Sequence, residues 1–225
     1  MWEVLSASNL SSIARLFREA IDLDQGNAAA FAGLSLALIV GGLWGLVRTP
    51  AAFSAAKAAM LRALEIDPQL PEAKCASAWV KMVSTRDWQG ARRGFDEALQ
   101  YGPRTTHAMV GRALLYFAKG SGEEAASLLL EAAQRHPLSS AATAWYCWGE
   151  YLSGEYTNAL LQIEQYRAGG RSGPVVDAAE ALVSIQLEEQ DAQIGRIEAL
   201  SASSPHHEVL RGALGYAYAT AGQSQ

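Results

Sequence analysis

The sequence is poor in the residues that build stapled or metal-bound folds. It holds two cysteines and four histidines in 225 residues. Two cysteines exclude a disulfide scaffold. His107, His136, His206 and His207 show neither H-x3-H nor H-E-x2-H spacing, and the side chains of adjacent His206 and His207 diverge on a helix, so no metal site is expected. Charge is also scarce, at 18% of residues, with Lys+Arg 18 against Asp+Glu 23 and a net −5. Phosphate backbones are held by clustered positive charge, so direct nucleic-acid binding is not expected. Arg86, Arg92 and Arg93 read as a solvated basic cluster, and Glu123-Glu124 and Glu188-Glu189 as solvated acidic pairs. Gly41-Gly42 lacks the Gly-Lys-Ser/Thr of a phosphate loop, and no G-x-S-x-G elbow occurs. Asp22-x-Asp24-x-Gly26 puts its glycine at the fifth position and Gly33 where a calcium loop needs glutamate. The chain therefore carries no catalytic constellation, and neither an enzyme activity nor a cofactor is expected of it. Residues 1–10 have neither the basic start nor the apolar core of a secretory leader.

Apolar residues, in contrast, make up 50% of the chain, which excludes a disordered segment. Residues 28–47 run twenty positions without a charge, the minimum for a membrane span. Gly41, Gly42 and Gly45 weaken a helix there, and no basic flank sets an orientation. The run reads as a buried helix of a soluble protein, with no membrane insertion.

Periodicity is the strongest signal. Pro68, Pro103, Pro137 and Pro205 are separated by 35, 34 and 68 residues, the last being twice 34. A fixed period in the mid-thirties means stacked supersecondary units. Each of the first three prolines closes an amphipathic run with a large apolar residue eight before it and an alanine five before it: Met60 and Ala63, Phe95 and Ala98, Leu129 and Ala132. Residues three apart share a helix face, and the alanine lets a neighbouring helix come close. A second alanine stands four before the large residue, at Ala56, Ala91 and Ala125.

The pattern A-x3-Φ-x2-A-x4-P resembles the second-helix signature of the tetratricopeptide repeat. The first-helix signature is visible in Arg211-x2-Leu214-Gly215-x2-Tyr218, with Gly222 at the turn between helices and Gly120 and Gly154 at the same turn in earlier units. The resemblance implies an all-α helical-repeat solenoid, a right-handed superhelix of antiparallel helix pairs. One array is expected over 1–225, with a half unit at 11–26, units at 28–68, 71–103, 106–137, 140–171 and 174–205, and a half unit at 208–225. The 28–68 unit carries about nine extra residues between its helices, around Gly41 to Pro50. Trp44 and Trp88 read as packing between repeats, and Cys75 and Cys147 as buried small residues, too far apart to bond.

Two stretches are similar to a narrower group. They are Arg86-Asp87-Trp88-Gln89-Gly90-Ala91-Arg92-Arg93-Gly94-Phe95, and Ala144-Trp145-Tyr146-Cys147-Trp148 followed by Gly154 and Ala159-Leu160. They resemble the C-terminal repeat region of bacterial winged-helix transcriptional regulators of the CadC type; related arrays follow cyclase domains. In that family a DNA-binding domain is N-terminal, often followed by a membrane span, and these 225 residues contain neither. The resemblance implies a sensory or partner-binding segment of a longer protein, cytoplasmic as written and extracytoplasmic if a membrane span precedes it. Open repeat ends suggest either further chain or a homodimer.

In tetratricopeptide arrays the first helices line the concave face. Inward positions here are His107, Val110, Leu114 and Phe117, then Ala141, Ala144, Trp148 and Tyr151, then Val175, Ala178, Leu182 and Ile185. This apolar and aromatic set suits a protein partner presenting a helix or extended peptide. The Lys, Arg and Asn set of a carboxylate clamp is not found. Trp145 and Trp148, three apart on one helix, read first as core packing, with ligand contact as the alternative. Two other functions are carried beside the interaction scaffold: a small-molecule sensor closed by the insertion between Gly41 and Ala52, and a non-catalytic accessory region of an enzyme such as a cyclase.

Overall fold

A computed structural model of the chain describes residues 7–43, 47–101, 105–137, 139–170, 174–187, 190–203 and 208–220. Among the described residues every regular element is helical. They are α1 (Ala7–Leu23), α2 (Ala28–Leu43), α3 (Thr49–Ile66), α4 (Pro71–Val80), α5 (Trp88–Tyr101), α6 (Thr106–Phe117), α7 (Gly122–Arg135), α8 (Ser140–Ser153), α9 (Tyr156–Ala168), α10 (Pro174–Leu187), α11 (Gln190–Ser203) and α12 (Glu208–Thr220). A π-helical turn, Lys81–Thr85, prolongs α4.

Local chemistry sets the ends. Thr105 and Ser139 cap α6 and α8, accepting from the backbone N–H of Ala108 and Ala142. Pro71 opens α4, where a missing N–H costs nothing. Gly120 and Gly154 follow α6 and α8 in the left-handed region, at φ 78° and 80°. Just beyond them, the N–H of Ser121 donates to Tyr116 O and that of Glu155 to Glu150 O, satisfying otherwise orphaned carbonyls. The alanines and large apolar residues of the repeating pattern are buried: Ala56, Met60 and Ala63; Ala91, Phe95 and Ala98; Ala125, Leu129 and Ala132. Pro103 and Pro205, Gly222, Trp44 and the His206-His207 pair lie outside the described residues.

The chain forms two compact units, Ala7–Leu128 and the part from Leu129 onward, so that the division falls inside α7. In the first unit α2 is central, packed by α1, α3 and α4. Its charge-free sequence follows from that position, since it has almost no wet face. The glycines that weaken it in isolation permit close approach. A Cβ on Gly33 would stand 2.3 Å from the Phe17 ring, and one on Gly41 2.2 Å from Leu10 Cδ2. Packing therefore outweighs propensity and carries α2 to Leu43, and α3 begins at Thr49, so helix enters the expected inter-helix insertion from both sides. Ser35, buried in α2, donates through Oγ to Ala56 O at 2.8 Å. No helix among the described residues is long and apolar enough to cross a membrane.

Further along the same unit, Trp79 of α4 meets Phe95 of α5 edge to face at 5.5 Å, and its Nε1 donates to His107 O of α6 at 3.0 Å. The tip of the Phe95 ring in turn lies against Gly111, where a Cβ would come within 2.2 Å of its Cζ. Phe17 and Gly33 repeat this sixteen-residue pairing. Trp88, expected between repeats, is instead 52% exposed at the first position of α5.

In the second unit α8 packs on α9 and α10, and α10 on α11 and α12. Its core joins Ala178, Ala181 and Ile185 to Ile194, Ile197, Leu210, Ala213 and Ala217. The repeating pattern erodes here, with Tyr166 in place of the alanine, and ions take over. Arg167 at the end of α9 pairs through Nη2 with Asp177 at 2.6 Å and with Glu180, both on α10. Arg196 of α11 reaches the other Glu180 oxygen at 2.5 Å. Glu180 is buried, and two guanidinium groups compensate the two carboxylates.

Candidate partner-binding face

The first helices of the second unit, α8, α10 and α12, pack side by side. A step of 34 residues relates their equivalent positions: Ala144, Ala178 and Gly212; Trp148, Leu182 and Tyr216; Leu152, Gln186 and Thr220. Not one of these nine residues is charged. Ala144 and Ala178 are fully buried and form the floor. Larger side chains rise from it. Trp148 and Tyr151 meet edge to face at 6.1 Å, and Tyr151 continues to Tyr156 at 5.7 Å. Gln186 Nε2 donates to the Tyr216 hydroxyl at 3.1 Å, bridging α10 and α12. Burial, with the neighbouring Tyr216 and Tyr156 phenols, pushes the Tyr151 hydroxyl above its ordinary pKa, so it is held as a neutral donor. Tyr216 is 41% exposed, while Trp148, Tyr151, Leu182 and Gln186 are half-buried.

Beneath this face lies a polar core. Glu150 is buried and accepts from Asn158 and Tyr146; burial raises its carboxyl above the ordinary range despite those bonds. Burial and the Glu150 charge push the Tyr146 phenol up to about 12. Cys147 Sγ donates to Ala159 O at 3.6 Å, and burial pushes this thiol well up, as it does that of Cys75. Thiols so placed are inert packing groups. Among the described residues no three His, Cys, Asp or Glu side chains gather as a metal site.

The eight larger side chains among the described inward positions read from the sequence fall into two sets. His107, Val110, Leu114 and Phe117 lie on α6 of the first unit, and Trp148, Tyr151, Leu182 and Ile185 on α8 and α10 of the second. Val110 and Ile185, at 2% and 5% exposure, are core residues. Ile185 belongs to the buried cluster that holds Ile194, Ile197 and Leu210. His107, Leu114 and Phe117 are half-buried. Tyr216 and Gln186 were not foreseen, although the 34-residue step from Trp148 through Leu182 leads to Tyr216.

These features define a class: a tetratricopeptide-like helical-repeat solenoid. Solved structures share the fold. A tetratricopeptide repeat protein from Parabacteroides merdae is 13% identical, with a TM-score of 0.63 over 93% of this chain and 78% of that one. A thermophilic tetratricopeptide repeat protein from Thermus thermophilus is 20% identical, with a TM-score of 0.63 over 81% of this chain and 98% of that one. A chain of the APC/C hetero-tetramer Cut9–Hcn1 is 14% identical, with a TM-score of 0.66 over 93% of this chain and 40% of that one. At such identities the likeness is one of fold. No protein-family model matches the chain, and no curated protein sequence does.

Proposed function

We propose that the chain is a protein-interaction scaffold that takes a peptide or helix on the first-helix face of its second unit. We further propose that it serves as the C-terminal sensory or partner-binding region of a bacterial transcriptional or signalling regulator. The observation that carries the first reading is the uncharged, aromatic register of α8, α10 and α12 above a floor of alanine. Large rigid side chains that keep one polar tip are the usual anchors of such contacts. Cut9 with Hcn1, a solenoid in a hetero-tetramer, shows the fold at work in an assembly. The sequence stretches similar to CadC-type regulators support the second reading. The small-molecule alternative needs a closing loop between Gly41 and Ala52, and helix enters that segment up to Leu43 and again from Thr49.

Selection from a random twelve-residue peptide library tests the scaffold reading. Wild type enriches binders that a Tyr151→Ala, Tyr216→Ala double variant does not retain. No enrichment, or enrichment indifferent to both substitutions, overturns it.

A further inference from the structure

We infer that the occupant of this face is a proline-rich segment in the extended polyproline II conformation. The inference rests on the scaffold reading and narrows it. Its first support is hydrogen-bond polarity. A prolyl peptide offers carbonyl acceptors and no N–H donors, so its groove must supply donors. The face of the second unit does so. Gln186 Nε2 donates to the Tyr216 oxygen, so that hydroxyl, used there as an acceptor, keeps its own hydrogen to donate. Tyr151 adds a second phenol, and no carboxylate occurs among the nine register positions to compete for either.

The second support is shape. The Trp148, Tyr151 and Tyr156 rings form a continuous run, edge to face between the first two and tilted at 53° between the last two, and aromatic walls receive pyrrolidine rings. A leucine-rich helix would instead call for aliphatic pockets, and Leu182 is the only aliphatic side chain at the Trp148 level of the register. The third support is repeat length. Polyproline II advances roughly 9 Å per three-residue turn. Helices in contact lie roughly 8–10 Å apart. One turn of ligand therefore meets one first helix: Trp148 and Tyr151 on α8, Leu182 and Gln186 on α10, Tyr216 on α12. The absence of charge makes the match indifferent to salt.

The test uses the full chain and three synthetic ten-residue peptides with blocked ends: decaproline, a Gly-Ser repeat, and an amphipathic leucine-bearing helix. Calorimetry measures affinity, and amide NMR shifts locate the site. Decaproline is expected to bind at least tenfold more tightly than the Gly-Ser repeat, with shifts at Tyr151, Gln186 and Tyr216. Tyr216→Phe, at an exposed position that keeps the ring, is expected to weaken it roughly 3–10-fold through one lost hydrogen bond. If the helical peptide binds this face and decaproline does not, the inference falls and the scaffold reading stands. If neither peptide shifts this face, the inference falls, and the library selection decides the scaffold reading separately. Decaproline binding that Tyr216→Phe and Tyr151→Ala leave unchanged also overturns the inference.

Discussion

Arg86 offers a sharp test of the turn that separates the helices of a unit. It is the non-glycine residue with positive φ among those described, at 54°, and it stands 34 before Gly120 and 68 before Gly154. All three residues perform one task, which is to turn the chain after a first helix. At Arg86 an L side chain does it, after the π-helical turn Lys81–Thr85, with the Asp87 N–H reaching back to Lys81 O. Holding an L residue in the left-handed region costs about 1–2 kcal/mol. Glycine removes that cost and gives back about 0.5–1 kcal/mol through the freedom of its unfolded chain. Arg86→Gly is therefore expected to stabilise the first unit by about 0.5–1 kcal/mol, raising its melting temperature by roughly 2–5 °C. Arg86→Ala keeps the Cβ and discards only the charge, so it gains nothing. Thermal melts of both variants, followed by the near-ultraviolet signal of buried Trp79, make the comparison. Equal melting temperatures for the two variants would refute the conformational argument.

Three further outcomes follow from the packing and the buried charges. Gly111→Ala sets a methyl 2.2 Å from the buried Phe95 ring; overpacking of about 1–3 kcal/mol exceeds a helix-propensity gain of about 1 kcal/mol, and adding Phe95→Leu should restore stability in a double-mutant cycle by urea unfolding. Cys75 and Cys147 should resist a thiol reagent in the native chain and react at the rate of unfolding; immediate reaction would contradict their burial. Glu150 and Asp177 hold their protons more tightly folded than unfolded, both chiefly through burial, so their contribution to stability is full below the ordinary carboxyl pKa and is lost as pH rises through the raised values. Glu150→Gln, which keeps an acceptor without the charge, should flatten the fall in urea midpoint with rising pH; a wild-type curve no steeper than the variant's would defeat this assignment.

How much was legible in the sequence varies with the kind of interaction. Positions such as Phe95, Ala98 and Ala125 announce themselves because close helix approach demands a small residue opposite a large one at a constant spacing. The glycine turns at Gly120 and Gly154 are legible for the same reason, while Arg86 hides a left-handed turn behind a side chain that rarely adopts one. Helical continuity through Gly41 and Gly42 was not readable, because it depends on Leu10 and Phe53 filling the space that a side chain would occupy. The face itself was half legible. Its α8 portion stood out by aromatic content, but a 100° change around a helix separates lining from core, and that placed Ile185 inside and left Tyr216 unnoticed. The four-ion cluster about Glu180 had no signature at all, since its members come from three helices at irregular spacings.

The wrapping of α2 has a consequence for how the chain is made. Its charge-free run leaves the ribosome before α3 and α4 have been made, and the end of α3, at Ile66, is 23 residues behind. At about 5–20 residues per second that leaves the stretch bare for roughly 1–5 s, long beside the collapse time of so short a chain. Synthesis rate and holdase supply over this brief window should therefore govern the yield of intact molecules more than the final equilibrium stability does.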